Sequence, residues 1–292
     1  MSTVHTIAYQ GEPGAFSEAA ARQLDAAAEL YPCRAFEEVF DAVNAGRVQH
    51  GVLPIENSIG GSIHRNFDLL QLNDLPIVGE TEVPVVHHLL ALPGTTLSQV
   101  RRIYSHPQGL AQCERFLRTL VGVDIIASYD TAGSAKMIAA EHLTDAAAIA
   151  SARAGEVFGL ETLCPGIQDY EHNTTRFLVI GREPISDAPH DKISIVFTLP
   201  NEPGALFKAL SAFALRGINL TKLESRPNPT RKWEYLFYMD LKATPTDVVC
   251  ARALAHLGEI APTLRVLGSY ASCAPAPREA ASPSSLSAET LT

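Results

Sequence analysis

In the stretch HNTTRFLVI, Thr174, Thr175 and Arg176 stand directly before an unbroken run of strand formers, Phe177 to Ile180. Such a run makes a buried strand, and polar residues entering it need a turn or a ligand to explain them. A threonine hydroxyl can donate a hydrogen bond to a leaving oxygen. A guanidinium can hold a carboxylate through two parallel hydrogen bonds, though a surface ion pair would use Arg176 as well.

Further polar stretches sit at the ends of apolar runs. PIENSIGGSI places Glu56, Asn57 and Ser58 straight after a strand, where a carboxylate and an amide bind a hydroxyl or order a loop. GEPGAF lacks the G-x-G-x-x-G dinucleotide fingerprint, but its glycines suit either a tight turn or an anion at a helix N-terminus. SHPQGLAQC offers Ser105 as a cap, Gln108 as a ligand contact and His106. Imidazole chemistry makes His106 a general-base candidate, while its place before a proline suits capping or packing. YDTAGSA brings Thr131, Gly133 and Ser134 to a helix start, which favours a carboxylate or phosphate, or capping alone. His87 and His88 lie in an apolar extended stretch and read as structural. Neither H-E-x-x-H, a Cys/His spacing nor a G-x-S-x-G elbow occurs, so no metal and no serine triad is expected.

The elements that must position these residues alternate strand, polar loop and helix, which predicts an α/β region with a largely parallel sheet. Ligands bind beyond the carboxyl ends of such strands, where these loops lie. SEAAARQLDAAAEL reads as one helix capped by Ser17, PIVGETEVPVVHHLLAL as one long extended segment, and PQGLAQCERFLRTL as one helix. Glu183 to Asp191 reads as a linker. Beyond it the order is βαββαβ, a ferredoxin-like unit of about 80 residues. Within that unit, Gly204 of NEPGALFKAL leaves a gap where a small ligand's ammonium or carboxylate can meet backbone groups. The tail from Ala271, rich in Ala, Pro and Ser, is expected to be disordered.

The 292 residues carry a net charge of −9, against the basic surface that nucleic acid demands. No run of about 20 apolar residues suggests a membrane span. The N-terminus has no signal-peptide pattern, and the five scattered cysteines read as reduced thiols. The cytoplasm is the expected compartment.

GEPGAFSEAA, VLPIENSIGGSIHRN, SHPQGLAQC, DTAGSA, AAIAS and NTTRF, in this order and spacing, resemble the catalytic region of the prephenate and arogenate dehydratases. GALF and ESRP resemble the phenylalanine-binding motifs of that family's ACT domain. The resemblance spans Thr6 to about Tyr270. It implies a bilobed, periplasmic-binding-protein-like α/β catalytic region over 4–182, its second lobe inserted at about 83–152. A ferredoxin-like βαββαβ ACT domain follows over 192–270, then the tail, 271–292. It implies conversion of prephenate to phenylpyruvate, water and carbon dioxide without a cofactor, in phenylalanine biosynthesis. Thr175 matches the family's catalytic threonine and is read as donor to the departing hydroxyl, with Arg176 on a substrate carboxylate. Glu56, Asn57, Ser58, Gln108 and Thr131 match positions lining the cleft. The allosteric phenylalanine site is expected at Asn201, Gly204, Ala205, Leu206, Phe207, Glu224, Ser225, Arg226 and Pro227, between subunits of a homodimer or homotetramer. Phe207 stands where other members often carry valine. GAFSEAA, NSIGGSIHRN and LLALPG are similar to arogenate-preferring plant enzymes, but the chain shows no transit peptide, so prephenate is the expected substrate. A non-catalytic amino-acid sensor of the same fold is the alternative of a different class.

Overall fold

The computed structural model describes residues 4–228 and 231–273. The chain opens with β1 (Thr6–Gln10), α1 (Phe16–Leu24), β2 (Glu29–Cys33), α2 (Phe36–Asn44), β3 (His50–Asn57), β4 (Gly61–Ser62), α3 (His64–Leu72) and β5 (Ile77–Pro84). It then crosses into β6 (His88–Ala91), β7 (Arg102–Ser105), α4 (Pro107–Ala111), α5 (Glu114–Leu117), β8 (Asp124–Ala127), α6 (Thr131–Glu141), β9 (Ala146–Ala150), α7 (Ala152–Phe158) and β10 (Glu161–Cys164). It returns as β11 (Thr174–Gly181). The last unit is β12 (Lys192–Thr198), α8 (Ala205–Ala214), β13 (Asn219–Pro227), β14 (Tyr235–Lys242), α9 (Val248–Ile260) and β15 (Thr263–Tyr270).

The first part is bilobed. In the first lobe β2, β1 and β3 are parallel, and β11 lies antiparallel between β3 and β5. This sheet is mixed, because the chain re-enters it from the second lobe running the other way. The second lobe has the order β10-β6-β9-β7-β8, parallel over β9-β7-β8 and antiparallel at β6 and β10. Its sheet runs from His88 to Cys164 rather than over 83–152. Val83 and Pro84 pair with β11 in the first lobe, and β10 closes against β6.

Local expectations shift where tertiary pairing overrides helix propensity. The alanine-rich run breaks at Asp25, and ELYPC becomes β2, zipped parallel to β1. The N-cap of α1 is Ala15, with Ser17 inside the helix. The expected helix after Pro107 is two short ones, α4 and α5. His106 caps α4 through its Nδ1, which accepts the Gln108 N–H at 3.2 Å, while Ser105 Oγ donates to the Ile149 carbonyl.

The C-terminal unit has the ferredoxin-like order β13-β14-β12-β15, with α8 and α9 on one face over a core of Ile193, Ile195, Phe197, Ala209, Phe213 and Leu257. It is not a loosely linked module. Its β15 meets β5 in parallel at Gly268 and Ile77, joining both parts into one ten-stranded sheet. A Cβ at Gly268 would stand 2.1 Å from the Ile77 carbonyl oxygen, so only glycine lets these backbones meet. The sheet's other face shares a core with the first lobe, Tyr238, Leu267 and Tyr270 packing with Phe67, Leu70 and Ile77. The start of the expected tail is fixed: Ser272 bonds Asp191 through its N–H and hydroxyl, and the Cys273 N–H donates to Glu80. The rest of the tail, from 274, lies outside the described residues. No helix among the described residues is long and apolar enough to cross a membrane.

Candidate active site

The two lobes face each other across a cavity of about 300 Å³, lined by residues of both. They touch closely at its edge. Gly14, at φ +89°, lies against the start of α7, where a Cβ would stand 2.5 Å from the Ala154 Cα. Ser151 Oγ donates to the Gly14 carbonyl across the same gap at 2.6 Å. Lys136 of the second lobe pairs with Glu12 of the first.

Four residues expected in the site line this cavity: Asn57, Gln108, Thr131 and Thr175. Asn57 ends β3 and Thr175 sits opposite it near the start of β11. Asn57 Oδ1 accepts the N–H groups of Ile59 and Gly60 at 3.0 and 2.7 Å, which fixes the orientation of its amide. Its Nδ2 therefore donates, to Thr175 Oγ1 at 2.9 Å and to Asn173 Oδ1 at 2.7 Å. Thr175 Oγ1 accepts from Asn57, so its own proton is left for the cavity. Thr131 opens α6, whose N-cap is Asp130. The Gln108 amide lies over Gly60, reaching from one lobe to the other.

Glu56, Arg176 and Ser58 stand elsewhere. Successive residues of a strand point to opposite faces, so the residues beside Asn57 and Thr175 face away from the cavity. Arg176 does not wait for a substrate carboxylate. It is bound by Glu56 at 2.6 Å, Glu80 at 2.9 Å and Asp240 at 2.6 Å, and is 11% exposed. Burial works against its charge, but Asp240, Tyr270, Glu80 and Glu56 hold it firmly protonated. Lys222 of β13 also binds Glu56, at 2.5 Å, and Lys192 binds Glu80. Burial pushes the Glu56 carboxyl up, but Lys222 and Arg176 outweigh it and hold it below the usual range. Ser58 clamps the loop before β11, bonding the His172 carbonyl and the Thr174 N–H.

Three residues in or directly behind the cavity wall carried no signal of their own in the sequence. Gln112 and Asn173 lay inside quoted motifs but behind more conspicuous neighbours, and His87 looked like packing. Asn173 Nδ2 donates to Gln112 Oε1 at 3.0 Å. Asp130 is the one carboxylate of the lining, and among the described residues lining the cavity none is lysine or arginine. Its Oδ1 accepts the Gly133 N–H at 2.8 Å. Burial raises its carboxyl, against the Gly133 N–H and nearby His106. Among the described residues, no group of three or more His, Cys, Asp or Glu side chains is placed to hold a metal ion.

In the C-terminal unit, Asn201, Ala205 and Leu206 line a second cavity, of about 150 Å³, with Trp233, Tyr235 and Phe237. Gly204 is the N-cap of α8 at φ 81°. Phe207 points away, 76% exposed. The 224–227 segment does not line this cavity. Ser225 pairs with Phe237 across β13–β14, while Glu224 accepts from Ser62 and Arg226 binds Asp68 through two hydrogen bonds.

The prephenate dehydratase family model matches residues 7–185, and the ACT domain model matches residues 193–248. The chain is 51% identical over 275 residues to arogenate dehydratase/prephenate dehydratase 2, chloroplastic, of Arabidopsis thaliana, covering 90% of this chain and 72% of that one. It is similar to the prephenate dehydratase of Arthrobacter aurescens in complex with L-Phe, at 35% identity and TM-score 0.82, covering 91% and 89% of the two chains. A structure described as a novel type of quorum quenching acylase is 37% identical at TM-score 0.82, covering 93% of this chain and 99% of that one.

Proposed function

The chain belongs to the prephenate dehydratase family, and we propose that it converts prephenate to phenylpyruvate in the cleft between its lobes, in phenylalanine biosynthesis and under feedback by phenylalanine. The observation that carries the catalytic reading is the Asn57–Thr175 pair. In this reaction the ring carboxylate departs as carbon dioxide, and its bonding electrons move into the ring. The ring expels the hydroxyl at the opposite carbon, which takes a proton and leaves as water. Aromatisation supplies the drive; what the protein must add is a donor to a poor leaving group. Thr175 is that donor. Its lone pair is engaged by Asn57, and its O–H faces the cavity. A carboxylate of the substrate meets the N-terminal end of α1, at Phe16 and Ser17, where free N–H groups and the helix dipole favour an anion, and the Thr131 hydroxyl at the start of α6 adds a donor. Further closure of the lobes over the substrate would exclude bulk water from the cavity. Thr175→Ala is expected to lower turnover by about 10²-fold or more with the fold intact. Near-normal turnover in that variant would refute the assignment.

Asp130 favours arogenate as a second substrate. Arogenate carries an ammonium where prephenate has its side-chain keto oxygen, and a buried carboxylate in a cavity without lysine or arginine suits a cation.

The regulatory reading rests on the ACT unit. Around its small cavity Trp233 is 73% exposed, and Tyr235 and Leu206 are also open. β13 is one of the two edge strands of the sheet, with one edge unpaired among the described residues. These features support a homodimer or homotetramer in which phenylalanine sits between ACT units, held by Asn201, Gly204, Ala205 and Leu206 of one and the 224–227 segment of the next. We place the protein in the cytoplasm, a reading that the free thiols of Cys33, Cys113, Cys164 and Cys250 support.

A further inference from the structure

The hydrogen-bonded chain behind Thr175 continues past Gln112 to a histidine. His87 lies between β5 and β6, in one of the two crossovers joining the lobes, and is 2% exposed. Its Nε2 is 2.8 Å from Gln112 Oε1. The polarity of that bond is forced from the far end. Two backbone N–H groups fix Asn57 Oδ1 as an acceptor, so Asn57 Nδ2 donates to Asn173 Oδ1. Asn173 Nδ2 must then donate to Gln112 Oε1, and Gln112 Oε1 accepts from His87 as well. His87 therefore carries its proton on Nε2. The other ring nitrogen, Nδ1, is buried and has no hydrogen-bond partner. The Phe16 ring packs edge-on against the imidazole at 5.5 Å between centroids. A proton on Nδ1 would have no acceptor, which costs the full desolvation of an N–H. Burial and neighbouring His88 disfavour the charged ring too, against the Gln112 bond.

We propose that His87 is a positioning residue for the reaction: its neutral Nε2–H tautomer, acting through Gln112, Asn173 and Asn57, holds in place the chain from which Thr175 donates to the departing oxygen. The inference rests on Thr175 being the donor. Gln112 belongs to the second lobe, Asn57 and Thr175 to the first, and His87 and Asn173 to the crossovers between them. The chain is complete only with the lobes in their present arrangement, so it ties the donor's placement to closure of the cleft.

The test compares steady-state kinetics of the full-length protein with those of His87→Gln, His87→Leu and Thr175→Val. A glutamine can place an N–H where Nε2–H stood; leucine cannot. The expected result is a fall in kcat of about tenfold or more for His87→Leu, with KM within about twofold, and recovery of most of that loss in His87→Gln. Thr175→Val should lose far more. Unchanged kcat in His87→Leu beside a crippled Thr175→Val would overturn the role of His87 alone. Equal losses in the leucine and glutamine variants would reduce His87 to packing. A fully active Thr175→Val would sink the reading of the threonine itself. The ring ¹⁵N signals of His87 in the unmodified protein give an answer that needs no variant to fold. A neutral Nε2–H ring at neutral pH supports the proposal, and an imidazolium or an Nδ1–H tautomer contradicts it.

Discussion

The Asn57 carboxamide accepts two backbone N–H groups at one end and donates to Thr175 and Asn173 at the other, so its polarity cannot reverse. Aspartate has the same shape but no N–H. Asn57→Asp is expected to lower kcat by about tenfold or more, because Thr175 Oγ1 loses its donor and Asn173 Oδ1 faces an oxygen. Turnover near the unmodified level would show that the amide does not orient the threonine. At this scale the sequence was legible where a residue type had one use. Asn57 stood out because an amide at a strand end needs partners, whereas only the family resemblance told Thr175 from Thr174. Arg176 and Glu56 misled, since each looked like a ligand for substrate and each is a ligand for the other. The alternation of a strand decides between these readings, and which face is wet depends on what packs behind it. Gln112 and His87 acquire their role only from a chain of contacts spanning 118 positions between Asn57 and Thr175.

The β3–β11 pair has one face on the cavity and one on the ACT unit. On one side are Asn57 and Thr175; on the other, one residue away, Glu56 and Arg176 bind Lys222 and Asp240 of the ACT unit. The same β13 carries Glu224, held by Ser62, and Arg226, held by Asp68. These ion pairs give any movement of β13 a direct route to the strand that carries Asn57. Lys222→Met is expected to keep turnover within about threefold while the phenylalanine concentration for half inhibition rises by about fivefold or more. Calorimetry should still find phenylalanine bound. Undiminished inhibition would place the coupling elsewhere. Element types were mostly readable, since α3, β3 and the whole βαββαβ unit follow clean apolar periodicity. The strand β2 was hidden by the alanine-rich run before it and by Pro32 within it, and only the ladder to β1 makes it a strand. The split of the segment after Ile77 between two sheets was equally silent, because both halves are simply extended and apolar.

Across the whole molecule, one sheet and one shared core bind the regulatory unit to the first lobe, which no local pattern announces; the Gly268–Ile77 contact joins residues 191 positions apart. Buried histidines make this assembly acid-sensitive. His50 and His87 are both held below the ordinary histidine value, chiefly by burial, and His88 likewise. An unfolded histidine takes up a proton near pH 6.5, whereas these resist it. Their contribution to stability is therefore complete above about pH 6.5 and is lost as the pH falls through their lower folded values. The raised carboxyl of Asp130 works the other way, one group against three. The melting temperature should drop between pH 7 and pH 5, and less so in His50→Gln; a flat profile would contradict the burial argument. The central claim is that the cleft is a dehydratase site governed by the ACT unit. The most direct test is turnover of prephenate and of arogenate by the purified protein, each with and without phenylalanine. Phenylpyruvate formed from prephenate and suppressed by phenylalanine is the predicted result, with arogenate also turned over if Asp130 receives its ammonium. Failure to turn over either compound, with phenylalanine still bound, would contradict the account and leave a sensor in place of an enzyme.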